Sequence, residues 1–486
     1  MKPVPSVVTL ILLLPAICSA QTFRNMDFQE TCDSSATQLC YWNISWGGKT
    51  ACTIERSGKN QWLSIAGTKE NSVGFVEQTV PVPTGAGLQV LEVSADISSQ
   101  EIEGKGAGIN VGIYDSTGTL LFTKDMGYAS FNWVHGTTAW KRYTVSAICP
   151  ENTTTIKLGA ILYGKGTARF DNYSAVLTPI QGREASTLAT HYITAACDTI
   201  AKHSLMNDSV DLAALKRTAL QIAGPAKTYA DCHLAIVYLL RALGDEHSFF
   251  MTPEEVAGWE HDDSPAANIQ YAEFKVINRC GYISVPPFHG GNTTLMQAYS
   301  DSIQAALRKL DRMNIKGWII DLRQNTGGNM SPMIAGLGPL FDSERLGSLV
   351  ENSGHAESWF YRNDAYFWES EKILAASNPV RLLTKRPTAV LIGHQTGSSG
   401  EIVVISFIGN SRTKIFGMPT WGLTTGNGDF DLPDGARMML ASTIMADRNG
   451  KLYHGPIEPD ERILQSDDPA NDAEITAAVR WILDNN

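Results

Sequence analysis

Runs of lysine or arginine are absent from this 486-residue sequence, and charged residues of either sign make up only 18% of it. Nucleic-acid binding needs a basic face, and 39 Lys+Arg against 50 Asp+Glu, a formal net charge of −11, offers none, so no nucleic-acid partner is expected. No two cysteines stand in a CxxC spacing, which removes zinc ribbons and thioredoxin-like chemistry and leaves no expected metal or other cofactor. Beyond the N-terminus no stretch has the length and apolarity of a transmembrane helix. Gly 42 and Pro 21 are ordinary counts for this length and exclude collagen-like or low-complexity classes. What remains is a 43% hydrophobic chain, long enough for roughly three folded domains.

The first segment carries a single cation at Lys2, an apolar run from Val7 to Leu14, and the small-residue ending Cys18-Ser19-Ala20. That is the pattern of a secretory signal peptide over residues 1–20, the run being too short to span a bilayer. The bulky Ile17 disfavours a lipoprotein site at Cys18. The mature chain is therefore expected to be exported, periplasmic or extracellular, where disulfides are permitted. Removing Cys18 from the 8 cysteines leaves 7, so one stays unpaired, and Cys280 is the expected odd member.

Three regions follow. From about residue 21 to 180, short alternating stretches such as Leu88–Val93 and Ile109–Tyr114 are separated by Gly, Asn, Ser and Thr, the mark of an antiparallel all-β jelly-roll sandwich. It loosely resembles the carbohydrate-binding-like sandwiches of secreted bacterial hydrolases, which implies a possible glycan partner with Trp42, Trp46, Trp133 and Trp140 as the stacking platform. In residues 181–262 the period changes: Leu212, Leu215 and Leu220, then Leu234, Val237, Leu240 and Leu243, predict a helical bundle, with Asp208-Ser209 capping a helix from Val210 and Gly224-Pro225 stopping it. Residues 263–486 alternate strand and helix, as Gly281–Val285, Leu295–Met313, Gly317–Leu322, Thr388–Gly393, Glu401–Ile408 and Thr413–Gly417, which predicts a parallel sheet covered by helices. The tail, with Asp434-Gly435 and Asn449-Gly450, reads as hairpins.

Two segments have the residue types for chemistry. The strand ending Asp321-Leu322-Arg323-Gln324-Asn325-Thr326-Gly327-Gly328 places adjacent glycines directly past its C-terminal end, where backbone N–H groups can approach a ligand; it is not a GxGxxG, so no dinucleotide site is indicated. The turn Thr396-Gly397-Ser398-Ser399-Gly400-Glu401 sets serines at a helix N-terminus, where developing negative charge is favoured and small neighbours leave room for a carbonyl.

Together with two later segments, Gly417-Met-Pro-Thr-Trp-Gly422 and Pro456-Ile-Glu-Pro-Asp460, these resemble the C-terminal-processing and tricorn-core family of serine peptidases, whose marks are DLRxNxGG, TxSxGE, GxxTxG and a GIxPD-like tail. Leu243-Gly-Asp-Glu-His-Ser248 matches the family's LGDxHS segment, and the likeness runs from about Glu184 to the C-terminus. The resemblance implies a crotonase-like core and a peptide or protein substrate. It implies Ser398 as nucleophile and Ser399 with Gly327 or Gly328 as oxyanion-hole donors. The tail-specific branch places a lysine base where this chain has Leu423, so the tricorn-like branch applies, with His247 as base and Ser248 beside it. That branch orients its base through a further serine and a glutamate shortly before the tail motif; here Tyr453 falls at that position, with Glu458 or Asp447 as substitutes. His289, His394 and His454 are competing histidines. Only about thirty residues separate His247 from Gly281, fewer than the roughly 50 of the smallest domains, so no PDZ domain is inserted there.

The implied function is a secreted serine-type endopeptidase. Two alternatives stand beside it: a weak or inactive relative that binds peptides or apolar ligands, motivated by Leu423 and Tyr453, and a carbohydrate- or surface-binding protein whose sandwich is the main functional part.

Overall fold

The computed structural model describes residues 23–30, 40–46, 50–69, 72–82, 87–126, 133–261, 269–464 and 472–486. The expected signal peptide, with Cys18, and also Cys32 lie outside them. The chain divides into two compact units, Met1–Gln181 and Gly182–Asn486.

The N-terminal unit is built from β1 (Asn43–Trp46), β2 (Thr50–Ser57), β3 (Asn60–Gly67), β4 (Val73–Pro81), β5 (Gln89–Tyr114), β6 (Leu120–Asp125), β7 (Val134–Cys149) and β8 (Thr155–Pro179). Every pairing is antiparallel; the order β1-β4-β8-β3-β2 is extended through β5, which pairs with β6, β7 and β8. Alternate burial along β4, with Val76 and Val80 inward, is what one solvated and one packed face requires. Trp42 belongs to the core: it is 3% exposed, 5.0 Å from the Phe28 ring and 5.1 Å from Tyr173. It therefore offers no face for sugar stacking, because burying its ring contributes more than leaving it in water. Trp133 is half-buried with its ring against Tyr163, the Trp46 side chain is outside the described set, and Trp140 is exposed.

Cys280 is unpaired as expected, but the expectation that it is the one odd cysteine is overturned. Cys40 is disulfide-bonded, but Cys52, Cys149, Cys197, Cys232 and Cys280 are all free thiols. Cys149, Cys197, Cys232 and Cys280 are buried as small apolar side chains, and burial pushes the Cys149 thiol up to about 12 and the other three up to about 11.

In the C-terminal unit, α1 (Thr187–His203), α2 (Leu212–Ala223), α3 (His233–Ala242), β9 (Phe249–Met251) and α4 (Pro253–His261) come first. Helix α2 begins later than expected, because Val210 is extended and Asp211, not Asp208-Ser209, caps it by accepting the Ala214 N–H at 2.9 Å. Gly224 ends it with φ 53°, as the Gly-Pro signal implied.

Next come β10 (Phe274–Ile277), β11 (Cys280–Ser284), α5 (Thr293–Asp311), β12 (Gly317–Asp321), α6 (Met330–Leu337) and a meander of β13 (Arg345–Glu351), β14 (Ala356–Arg362), β15 (Ala365–Trp368) and β16 (Glu371–Ala375). The unit closes with β17 (Thr388–Ile392), α7 (Ser399–Phe407), β18 (Thr413–Gly417), the hairpin β19 (Thr425–Asp431) and β20 (Arg437–Asp447), β21 (Glu461–Arg462) and α8 (Ala473–Asp484). One sheet runs β10-β11-β12-β17-β18-β21, parallel from β11 onward; the other, β16-β15-β14-β13-β20-β19 with β9 beside β20, is antiparallel.

Every residue of β12 and β17 is buried, as central parallel strands demand. Their outer neighbours differ by face. Trp318, Ile320, Val390 and Ile392 pack with α7 and with Trp359 and Met445 of the second sheet, whereas Ile319, Ala389 and Leu391 lie under Ala478, Val479 and Ile482 of α8. Asp434, at the β19–β20 turn, accepts from Tyr192 of α1 and meets His233 of α3, each at 2.8 Å, so the helices are bolted to the hairpin. In open parallel sheets the loops past the C-terminal strand ends gather reactive groups, and β12 and β17 deliver here the two segments richest in glycine and serine.

Candidate active site

Ser398 stands at the N-terminus of α7 with φ 51° and ψ −120°, a backbone conformation that costs a non-glycine residue about 1–3 kcal/mol. The surroundings that hold it there converge on Glu401. This carboxylate is fully buried; its Oε2 accepts the Ser398 N–H at 2.8 Å, and its Oε1 accepts the Thr420 hydroxyl at 2.5 Å and the Gly422 N–H at 3.0 Å. Burial raises its pKa to about 7 against the opposing pull of those donors and of the Leu423 N–H. The Trp421 N–H donates to Thr396 O at 2.8 Å, closing a second tie between the 417–422 loop and the serine turn.

His247 lies in the loop between α3 and β9. Asp245 shapes that loop by accepting the His247 N–H at 2.9 Å and the Ser248 N–H and hydroxyl, each at 2.6 Å. Asn427 adds a donor to His247 O at 2.9 Å. The ring is thereby aimed: Nε2 is 2.9 Å from Ser398 Oγ, and Nδ1 is 2.7 Å from Thr425 Oγ1 at the start of β19. Burial, only partly offset by Asp245 and Thr425, lowers the imidazole pKa to about 4, so it is neutral at pH 7.

The glycine pair comes alongside. Gly327 (φ 106°) and Gly328 (φ 97°) both need the left-handed region, and a methyl built on Gly327 would sit 2.9 Å from Ser398 Cβ and 3.0 Å from Ser399 N. The Ser399 hydroxyl donates to Gly328 O at 2.6 Å, stitching the two loops together. The two glycines are not equivalent: the Gly327 N–H already donates to Asn325 Oδ1 at 3.0 Å, whereas among the described residues the Gly328 and Ser399 N–H groups meet no acceptor. Asn325, fully buried, also donates to Val285 O at 3.0 Å, and its own carbonyl accepts the Gly397 N–H at 3.0 Å.

The other expected residues lie elsewhere. Ser248 does not reach the imidazole; its hydroxyl serves Asp245 and accepts the Ala441 N–H at 2.9 Å. The Tyr453 hydroxyl bonds Asp447 at 3.2 Å, and Asp447 otherwise accepts the Asn449 and Lys451 N–H groups of its own turn. Glu458 is exposed and paired with Arg462 at 2.6 Å. Of the competing histidines, His394 and His454 are exposed, while exposed His289 stands beside Gly328, its Nδ1 3.0 Å from a methyl built there. Leu423 borders the serine turn, its Cδ1 3.7 Å from a methyl built on Gly397.

Three site residues had no assigned role in the sequence. Asn325 and Glu401 were visible as polar positions inside glycine-rich motifs. Thr425 had no such signal, since it is 178 positions from the ring it touches and only the strand pairing of β19 brings it there.

Residues 279–463 match the model of peptidase family S41. The C-terminal unit carries a peptidase family S41 domain. His247 stands ahead of the matched stretch, so the S41 domain alone does not contain the imidazole. The chain is 28% identical over 294 residues to the nisin-resistance protein of Lactococcus lactis subsp. lactis, covering 60% of this chain and 86% of that protein. It is 27% identical over 195 residues to the carboxy-terminal processing protease CtpA of Bacillus subtilis, covering 40% of this chain but only 36% of that protein. Among solved structures, a lipoprotein from Streptococcus agalactiae matches with a TM-score of 0.50 and 25% identity, over 61% of this chain and 97% of that one.

Proposed function

We propose that the chain is an exported serine-type endopeptidase on a crotonase-like core, working through an acyl-enzyme on Ser398. The observation that carries this reading is the 2.9 Å contact between His247 Nε2 and Ser398 Oγ. As Ser398 Oγ attacks a peptide carbonyl, His247 Nε2 takes its proton and then returns it to the leaving amine; water, activated by the same imidazole, releases the acyl group. The negative charge on the tetrahedral intermediate is taken by the Gly328 and Ser399 N–H groups, which meet no acceptor among the described residues. Thr425 accepts from Nδ1–H, which leaves the Nε2 lone pair facing the serine. The low imidazole pKa keeps the base unprotonated, and Glu401 holds the serine's backbone in its high-energy turn.

Export rests on residues 1–20, and no helix among the described residues is long and apolar enough to cross a membrane. The test is covalent labelling of the purified mature chain by a fluorophosphonate, read by mass spectrometry. Labelling at Ser398 that disappears in Ser398→Ala and His247→Ala is expected; folded wild-type protein that stays unlabelled sinks the proposal.

For the N-terminal unit we propose a jelly-roll that binds glycan through Trp140, one of the four tryptophans the sequence suggested, together with Trp62, which it did not. Trp140, 45% exposed, meets Trp62 edge-on at 5.8 Å, and the Trp62 indole N–H and Arg169 both bond Glu55, a mix of ring faces and polar tips suited to sugars. Glycan-array binding by the full mature chain that is lost in Trp140→Ala is the expected result; absence of any binding by wild type removes this reading.

A further inference from the structure

Trp421 combines two properties that seldom coincide: its backbone is rigidly held and its side chain is left in water. The Trp421 N–H is fixed to Thr396 O at 2.8 Å, and the next residue's N–H is fixed to Glu401, the carboxylate that also holds Ser398. Yet the side chain is 49% exposed, and it meets no other ring among the described residues. A solvated indole on a rigid strap contributes little to folding, and its apolar face is open to a ligand bound at the serine turn. Its position says what: a methyl built on Gly397, directly before the nucleophile, would lie 3.4 Å from Trp421 Cβ and 3.7 Å from Leu423 Cδ1. The strap thus presents two apolar side chains, on either side of Gly422, along one flank of Ser398. It carries no charged side chain, because Trp421, Gly422 and Leu423 fill the stretch.

We infer that Trp421 and Leu423 form the wall that receives an apolar side chain of the substrate next to the scissile bond, making the enzyme selective for peptides with a large aliphatic or aromatic residue there. The inference rests on the peptidase reading and deepens it from reaction type to substrate class. A charged or small polar side chain laid against this wall would lose hydration and gain no partner. An apolar one would bury its surface and the indole face together, at no ordering cost to the strap.

The experiment is cleavage-site profiling of a complex peptide mixture by the full mature chain, followed by kinetics on matched quenched peptides carrying Leu, Phe, Ser or Asp at the flanking position. Wild type is expected to cut beside apolar residues. Trp421→Ala is expected to lose about tenfold in kcat/KM on the Leu and Phe peptides, mainly through KM, with much less change on the Ser peptide, and Trp421→Phe is expected to recover most of the loss. Wild type that is labelled by fluorophosphonate but cuts without apolar preference, or a Trp421→Ala enzyme with unchanged relative rates, overturns the inference and leaves the peptidase reading standing. Wild type that is not labelled overturns both.

Discussion

Thr425 Oγ1 lies 2.7 Å from His247 Nδ1, on the side of the imidazole away from Ser398. A neutral hydroxyl therefore occupies the place where a carboxylate would stabilise an imidazolium, and among the described residues the proposed base has no carboxylate at Nδ1. Thr425→Val preserves the shape and removes the hydroxyl, leaving only the backbone of residue 425 to meet the ring. Steady-state kinetics on any cleaved peptide should show kcat lower by about 10- to 100-fold with KM little changed, and Thr425→Ser should be close to wild type. Equal kcat in the valine variant would assign Thr425 to packing alone.

The pH profile should have two acid-side limbs with separate owners. Among the described residues every partner of the Glu401 carboxylate is a donor, so the ionised form suits the site and a protonated one loses a bond; activity is expected to rise as pH passes upward through about 7. His247 must be unprotonated to act, and its limb falls near pH 4. Glu401→Gln mimics the protonated acid. It should be weakly active throughout and should lack the upper limb while keeping the lower one. Wild-type activity that stays level between pH 5 and 9 would contradict the Glu401 assignment, and a Glu401→Gln limb near 6.5 in place of 4 would contradict that of His247.

Gly327→Ala places a methyl 2.8 Å from Gly397 O and 2.9 Å from Ser398 Cβ, at a φ of 106° that L-residues avoid. The serine turn or the glycine loop must move. Loss of about 100-fold or more in fluorophosphonate labelling rate is expected, the scale of a lost oxyanion donor, together with a lowered Tm. A variant that labels at the wild-type rate would show that the two loops are not packed as described.

Much of this was legible in sequence because the motifs are local. The β12 and β17 segments announce themselves as short, fully apolar runs ending in Gly and Ser, so the parallel sheet and the Ser398 turn could be read directly. The meander of residues 345–375 was not, because its strands are short and mix buried with exposed positions. Thr425 was equally hidden, because the β19–β20 register places it and register leaves no mark in the residues of one strand; Trp62 was hidden too, since it meets Trp140 from β3, a strand that does not pair with β7. The cysteines misled for a chemical reason. An oxidising compartment permits disulfides but does not require them, and five thiols use their bulk instead.

Arg323, two residues before Asn325, is bound by three carboxylates: Asp321 at 2.6 Å, Asp472 at 2.9 Å, and Glu474. Tyr282 also donates to Asp321 at 2.8 Å. Removing the cation by Arg323→Met leaves buried negative charge unpaired, a loss of about 3–5 kcal/mol that should appear as a Tm drop in scanning calorimetry and weakened labelling at Ser398. Glu474→Gln, which leaves two carboxylates on the guanidinium, is expected to cost less. Equal stability of both variants and wild type would remove the clasp from the account.

That clasp sets an order of assembly. Asp472 caps the last helix and Glu474 lies in its first turn, about 150 positions after the arginine they grip. The imidazole is made early in synthesis, the nucleophile much later, and the fastening of the glycine loop last of all. The strand end that leads into the glycine loop is therefore not fastened until α8 has been made and has docked on the sheet, so the segment that precedes Asn325 depends on a helix far from it in sequence.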